Sequence, residues 1–262
     1  MAVSETSALI TREQRGALGE TGHRPWPLPE GRWLIAQTWA DLLFAHWRAP
    51  LAQLRRIVPK QLSVDSFDGE GWIGVVPFVL QGLRLRHTPP VPGVSTFTEL
   101  NVRTYVSVGG RPGIYFFSLD AASSLAVLGA RLTYRLPYFR AAMSAQRQGE
   151  DVVYTSRRDR LHRDRAIFRA RYRPSGPEFA AETPSLEHFL TERYCLYTVD
   201  GRQQVRRADI HHPPWRLRPA EAAIEQNTMV GPLGLHLEGA PHLHFAKRQD
   251  ALVWPLRREE AA

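Results

Sequence analysis

The stretch Phe97-Thr98-Glu99-Leu100-Asn101-Val102-Arg103-Thr104-Tyr105-Val106 decides how the chain is read. Side chains alternate between the two faces of a strand. Glu99, Asn101, Arg103 and Tyr105 therefore share one face, and Leu100, Val102 and Val106 share the other. On many antiparallel sheets such a polar face meets water. A large barrel offers another solution, a polar cavity into which the face points. Glu99 and Arg103 stand four residues apart, about 13 Å along an extended strand. They do not meet directly, so each needs another partner or a ligand.

Working outward, the strand runs to a turn at Gly109-Gly110, and 113–119 reads as its partner. Upstream, 33–48 mixes aromatic and aliphatic residues and reads as one long or two short strands. Residues 51–58 read as a short helix, with Leu51, Leu54 and Val58 on one face and Pro59 as its stop. Segments 62–67 and 72–85 flank Asp68-Gly69, a hairpin signal. Pro89, Pro90 and Pro92 keep 87–95 out of any central strand. Downstream, small and apolar residues over 120–132 predict a helix capped by Asp120 or Ser123. Strands are expected at 134–147, 151–157, 166–173, 194–199, 203–210 and 243–254. Helices are expected at 185–193, from Leu186, Phe189 and Leu190, and at 219–227. The sum is an α+β chain, mostly β, with a barrel or sandwich at its centre and a few short helices outside. Residues 1–24 are polar and read as a flexible arm, and 25–262 as a single domain.

Composition narrows the class. Over 262 residues, 43% are hydrophobic and 23% charged, which excludes a disordered or collagen-like chain. Cys195 is the only cysteine, so an intramolecular disulfide and a cysteine-based zinc cluster are both excluded. The most apolar run, 72–83, is too short to span a bilayer and is broken by Gly74, Pro77 and Gly82. Residues 1–22 lack an apolar signal core. The expectation is a cytoplasmic protein with no membrane partner. The net charge of +8 invites a nucleic-acid reading. Only Lys60 and Lys247 are lysines, however, and an arginine bias can reflect genomic base composition. Nucleic acid is therefore disfavoured.

Three further groups draw attention. His242 and His244 share one strand face and can in principle ligate a metal, as can His211 and His212 before Pro213-Pro214-Trp215. Spacing alone is a weak signal, so structural histidines are expected, with no metal and no cofactor. His46, in Phe44-Ala45-His46-Trp47, is a candidate general base. Residues 157–173 are arginine-rich. Ala166, Phe168, Ala170 and Tyr172 alternate there with Ile167, Arg169, Arg171 and Arg173, as expected of a strand with one solvated basic face.

The order of these motifs resembles the YqjF-like bacterial family, grouped with the acetoacetate decarboxylase-like superfamily. The resemblance is carried by Phe44-Ala45-His46-Trp47, Asp65-Ser66-Phe67-Asp68-Gly69, Trp72-Ile73-Gly74-Val75-Val76-Pro77-Phe78, the strand from Glu99 to Val106, and Gly113-Ile114-Tyr115-Phe116-Phe117-Ser118-Leu119-Asp120-Ala121. Leu136-Pro137-Tyr138, the segment from Ser185 to Tyr194, and His212-Pro213-Pro214-Trp215 complete it. It spans roughly residues 33–254 and implies a bent antiparallel β-barrel of acetoacetate decarboxylase-like type, with peripheral short helices and an internal cavity. Acetoacetate decarboxylases carry a Gly-Arg-Glu element and a Pro-Lys whose lysine forms a Schiff base. The comparable residues here are Ala130-Arg131-Leu132 and Pro137-Tyr138. Tyrosine cannot form an imine with a ketone.

The expected function is capture of a small anionic or carbonyl-containing molecule, with Glu99, Asn101, Arg103, Arg131 and Tyr138 as the ligand-binding set. Arg131 is the expected partner of Glu99. The alternatives are a lyase-like or hydrolase-like enzyme using Glu99, His46 and Tyr138 in acid–base chemistry, and an interaction module using the basic strand at 157–173. A homo-oligomer is compatible with either.

Overall fold

The computed structural model describes residues 2–124, 134–158 and 165–259; for residues 2–7 only the backbone is described. Among the described residues, fourteen strands form one strongly curved sheet. In chain order they are β1 (Ile35–Ala49), β2 (Ser63–Val64), β3 (Gly71–Leu85), β4 (Phe97–Val108), β5 (Arg111–Ala121), β6 (Tyr138–Gln148) and β7 (Asp151–Arg158). There follow β8 (Ile167–Pro174), β9 (Phe179–Ala180), β10 (Cys195–Val199), β11 (Val205–His211), β12 (Arg216–Asn227), β13 (His242–Val253) and β14 (Arg257–Arg258). Short α-helices accompany them, among the described residues α1 (Ala2–Gly16), α2 (Leu51–Ile57) and α3 (Leu186–Thr191). Among the described residues no helix is long and apolar enough to cross a membrane.

Two pairings bend the sheet back on itself. The contact of β4 with β5 closes one circuit through β6, β7, β8, β12, β13, β1 and β3. The contact of β11 with β13 closes a second, through β10, β5, β4, β3 and β1. Strands β13, β1, β3, β4 and β5 belong to both circuits and so have both faces covered. This is why β4 is buried almost end to end. Leu100 and Val102 pack with Leu43, Ile73 and Val75 against Tyr154, Phe168 and Tyr172 of the first circuit. Glu99, Asn101 and Arg103 point into the second. Most pairings are antiparallel, as expected, but β5 pairs in parallel with both β6 and β10.

Local signals account for much of this. The Gly109-Gly110 turn has positive φ at both positions and joins β4 to β5 through the Val108–Arg111 pair. Pro50 precedes α2, and the Ser185 hydroxyl accepts from the His188 N–H to cap α3.

Several expectations are corrected. Asp68-Gly69 forms a tight turn, but it closes only a Phe67–Glu70 bridge, and β2 pairs with β4 rather than β3. Asp120 does not cap a helix. It is the penultimate residue of β5, fully buried, while residues 125–133 lie outside the described structure. Residues 219–227, rich in alanine and glutamate, form not a helix but most of β12, because β8 and β13 satisfy the backbone of that strand. The segment read as a loose arm holds α1. Its Gln14 is fully buried and donates to the Thr38 hydroxyl and the Gly82 carbonyl.

Candidate functional site

A cavity of about 670 Å³ fills the second circuit, a volume typical of small-molecule sites. Every strand of that circuit contributes to its wall. Trp39 and Leu42 come from β1, Val76, Phe78 and Leu80 from β3, and Ile114, Phe116 and Leu119 from β5. Leu196, Ile210 and Val253 come from β10, β11 and β13. Trp215 stacks on Trp39 at 5.7 Å and completes an apolar lining. Leu85, Val91 and Val94, three of its lining residues, are exposed.

The polar groups come mainly from β4 and from the start of β6. Glu99, Asn101 and Arg103 are each at least nine-tenths buried. The Tyr138 hydroxyl donates to Glu99 Oε2 at 3.2 Å. Burial pushes the Glu99 carboxyl up to about 8, against the lowering effect of the Tyr138 hydrogen bond, with the Asp120 charge adding to the rise. At neutral pH Glu99 is therefore a carboxylic acid, able to donate as well as accept. Burial and the neighbouring Glu99 hold the Tyr138 phenol well above its ordinary value.

Arg103 differs from most arginines of the chain. Its guanidinium lies 5.2 Å from the centre of the Phe44 ring and 5.8 Å from that of Tyr105. Its Nη2 donates to the Leu190 carbonyl at 3.3 Å, while its buried Nε has no hydrogen-bond partner. Among the described residues no carboxylate forms an ion pair with it. Asn101 Oδ1 is likewise buried without a partner. These two orphaned groups, both on cavity-lining residues, leave unmet hydrogen-bonding capacity that a ligand would satisfy.

His46 lies behind this wall rather than on it. Tyr105 donates to the Leu190 carbonyl at 2.9 Å and lies 2.6 Å from His46 Nε2. A carbonyl only accepts, so the single phenolic proton goes there and His46 Nε2–H donates to the Tyr105 oxygen. Nδ1 is then unprotonated, buried and unbonded. Burial, followed by the Arg103 charge, holds the imidazole well below its ordinary value, so it is neutral. The structure thus brings Glu99, Asn101, Arg103 and Tyr138 into one cavity and places His46 one layer deeper. Arg131 lies outside the described residues.

Two cavity features were missed in the sequence. Arg84 is buried and lines the cavity, held by Gln14 at 2.8 Å and stacked on Trp33. Its place in Leu83-Arg84-Leu85 resembles any alternating strand end. The second is Tyr134, whose hydroxyl donates to the Trp254 carbonyl.

The other groups read from the sequence fall elsewhere. His211 contacts the Ala17 carbonyl and Arg24, and His212 contacts the Pro213 carbonyl, so both serve structure. On β8, Arg171 pairs with Asp151 and Arg173 with Glu221 along an exposed face. Lys60 is exposed, and Lys247 is an exposed partner of Asp41.

This curved, mostly β architecture is that of the acetoacetate decarboxylase-like enzymes. The chain aligns with an acetoacetate decarboxylase-like enzyme from Sphingomonas wittichii at a TM-score of 0.61 and 15% identity, over 93% of this chain and 100% of that one. It aligns with the enduracididine biosynthesis enzyme MppR, solved with pyruvate, at 0.59 and 11% identity, over 91% and 94%. At these identities the likeness is one of fold. Sequence places the chain more narrowly: it belongs to the DUF2071 family of uncharacterised conserved proteins, whose model matches residues 36–250. The YqjF protein of Bacillus subtilis, described as uncharacterised, is 49% identical over 232 residues, covering 88% of this chain and 95% of that protein.

Proposed function

We propose that the cavity captures a small molecule with an apolar body and one carboxylate or carbonyl end. The carrying observation is the buried Arg103 guanidinium, free of any carboxylate among the described residues and set beside the unpartnered Asn101 oxygen. A guanidinium at such a place favours an anionic oxygen group in paired hydrogen bonds. The Glu99 acid supplies a further donor and the Tyr138 oxygen an acceptor, and the apolar lining accepts the rest of the ligand. That MppR, of the same fold, is solved with the keto acid pyruvate supports this ligand class. Native mass spectrometry of the purified chain, followed by release and identification of the bound molecule, tests the reading. Arg103→Met keeps the side-chain stem and should lose the ligand. Arg169→Ala, on the exposed face of β8, should keep it. Equal retention by both variants would overturn the assignment.

A second reading, acid–base catalysis, rests on Glu99 being an acid with a value of about 8, close to working pH, next to a phenol. In that case Glu99→Gln preserves capture but abolishes turnover of the captured molecule.

A further inference from the structure

The strand pattern put His242 and His244 on one face of β13, and on that basis alone no metal was expected. The fold adds a third group. Glu187, in the first turn of α3, places Oε1 3.0 Å from His242 Nε2 and 3.8 Å from His244 Nε2. One ligand atom from each of the three residues can be chosen so that all lie within 4.8 Å of one another. We propose that Glu187, His242 and His244 form a binding site for a divalent transition-metal ion, distinct from the cavity and independent of its reading.

Geometry supports this. Bonds of about 2.0–2.2 Å around a tetrahedral ion set neighbouring donors about 3.4 Å apart, and the two distances to Glu187 bracket that spacing. Two imidazoles and a carboxylate form a nitrogen–oxygen donor set suited to zinc and its first-row neighbours. The rings are held in place by other rings: His242 against His244 at 4.6 Å, His242 against Trp72, and His244 against Phe179.

A second observation is independent of the spacing. The His244 side chain is more than nine-tenths buried, and its Nε2 faces Glu187 Oε1 at 3.8 Å, too far for a hydrogen bond, so among the described residues neither of its nitrogens is engaged. Glu187 and His242 are partly exposed, so an ion can enter from solvent.

The site has a structural consequence. Helix α3 also supplies the Leu190 carbonyl that receives Arg103 and Tyr105. An ion bridging Glu187 to β13 would pin the helix whose backbone orients the cavity's guanidinium.

The test uses the tag-free full chain, stripped of metal and titrated with zinc and with cobalt(II). The expected result is one ion per chain, a cobalt visible spectrum of low-symmetry coordination, and a melting temperature that rises with zinc. His242→Ala and Glu187→Gln, both at partly exposed positions, should melt normally without metal and bind zinc at least tenfold more weakly. His236→Ala, outside the cluster, should bind as the parent does. No binding at 100-fold excess zinc over protein, or equal binding by the parent and both cluster variants, overturns the proposal.

Discussion

A carboxyl taken out of water must either find a cation or keep its proton. Glu99 keeps its proton, because among the described residues its partner is the Tyr138 hydroxyl rather than a guanidinium. The consequence for stability has a definite sign. The folded value of about 8 exceeds the ordinary 4.5, so between those pH values the folded chain holds a proton that the unfolded chain has released. The Glu99 contribution therefore falls as pH rises through that window and levels off above it. Its upper bound is about 5 kcal/mol, at about 1.4 kcal/mol per pH unit. His46 and His244 act in the opposite direction, since their lowered values add stability as pH rises toward 6.5. The difference between parent and Glu99→Gln isolates the carboxyl. In urea unfolding at pH 5 and at pH 8, the variant should lose less stability on going to the higher pH. Identical losses would show that Glu99 ionises normally. At the same scale, Tyr105→Phe removes the hydroxyl that joins His46 to the Leu190 carbonyl. It should cost about 1–3 kcal/mol, the penalty for a buried polar group left unpaired, in the same unfolding assay.

Among the elements, legibility depended on where each strand finds its partners. β4 and β8 carry alternation strong enough to be read directly from the sequence, and α3 carries its own cap. β12 did not, because alanine and glutamate favour a helix locally and only the neighbouring strands make it extended. Asp120 misled for a similar reason. An aspartate before small residues looks like a cap, but here it receives Arg158 Nε at 2.8 Å with both side chains buried. Arg158, from β7, also lies over the Phe139 ring of β6, so the pair ties three strands together. Asp120→Ala leaves a buried guanidinium uncompensated and should cost about 3–5 kcal/mol, read as a lower urea midpoint with an unchanged slope. Trp72, on β3, is 95% buried, and its ring meets His242 and the Arg48 guanidinium. Trp72→Ala should likewise cost about 3–5 kcal/mol, the range for removing a buried aromatic ring.

Across the whole molecule, the chemistry open to the cavity is set by which cations the fold brings to it. Both lysines of the chain lie on the exterior, and Arg103 and Arg84 are the basic groups on the described wall. Borohydride reduction in the presence of acetoacetate should therefore leave no covalent adduct on the intact chain by mass spectrometry. A reduced adduct mapped to Lys60 or Lys247 would show that one of these amines reaches a bound keto acid. Composition, strand alternation and turn chemistry by themselves determined a mostly β chain, the polar face of β4 and the absence of a lysine beside Pro137. Those are properties of local sequence and of period two. Tertiary structure decided that this face turns inward, that Tyr138 meets Glu99, and that Glu187 joins His242 and His244. Each of those contacts joins residues tens of positions apart. They form only because the β4–β5 and β11–β13 pairings close the sheet, and closure depends on the twist and register of every strand together rather than on any one segment.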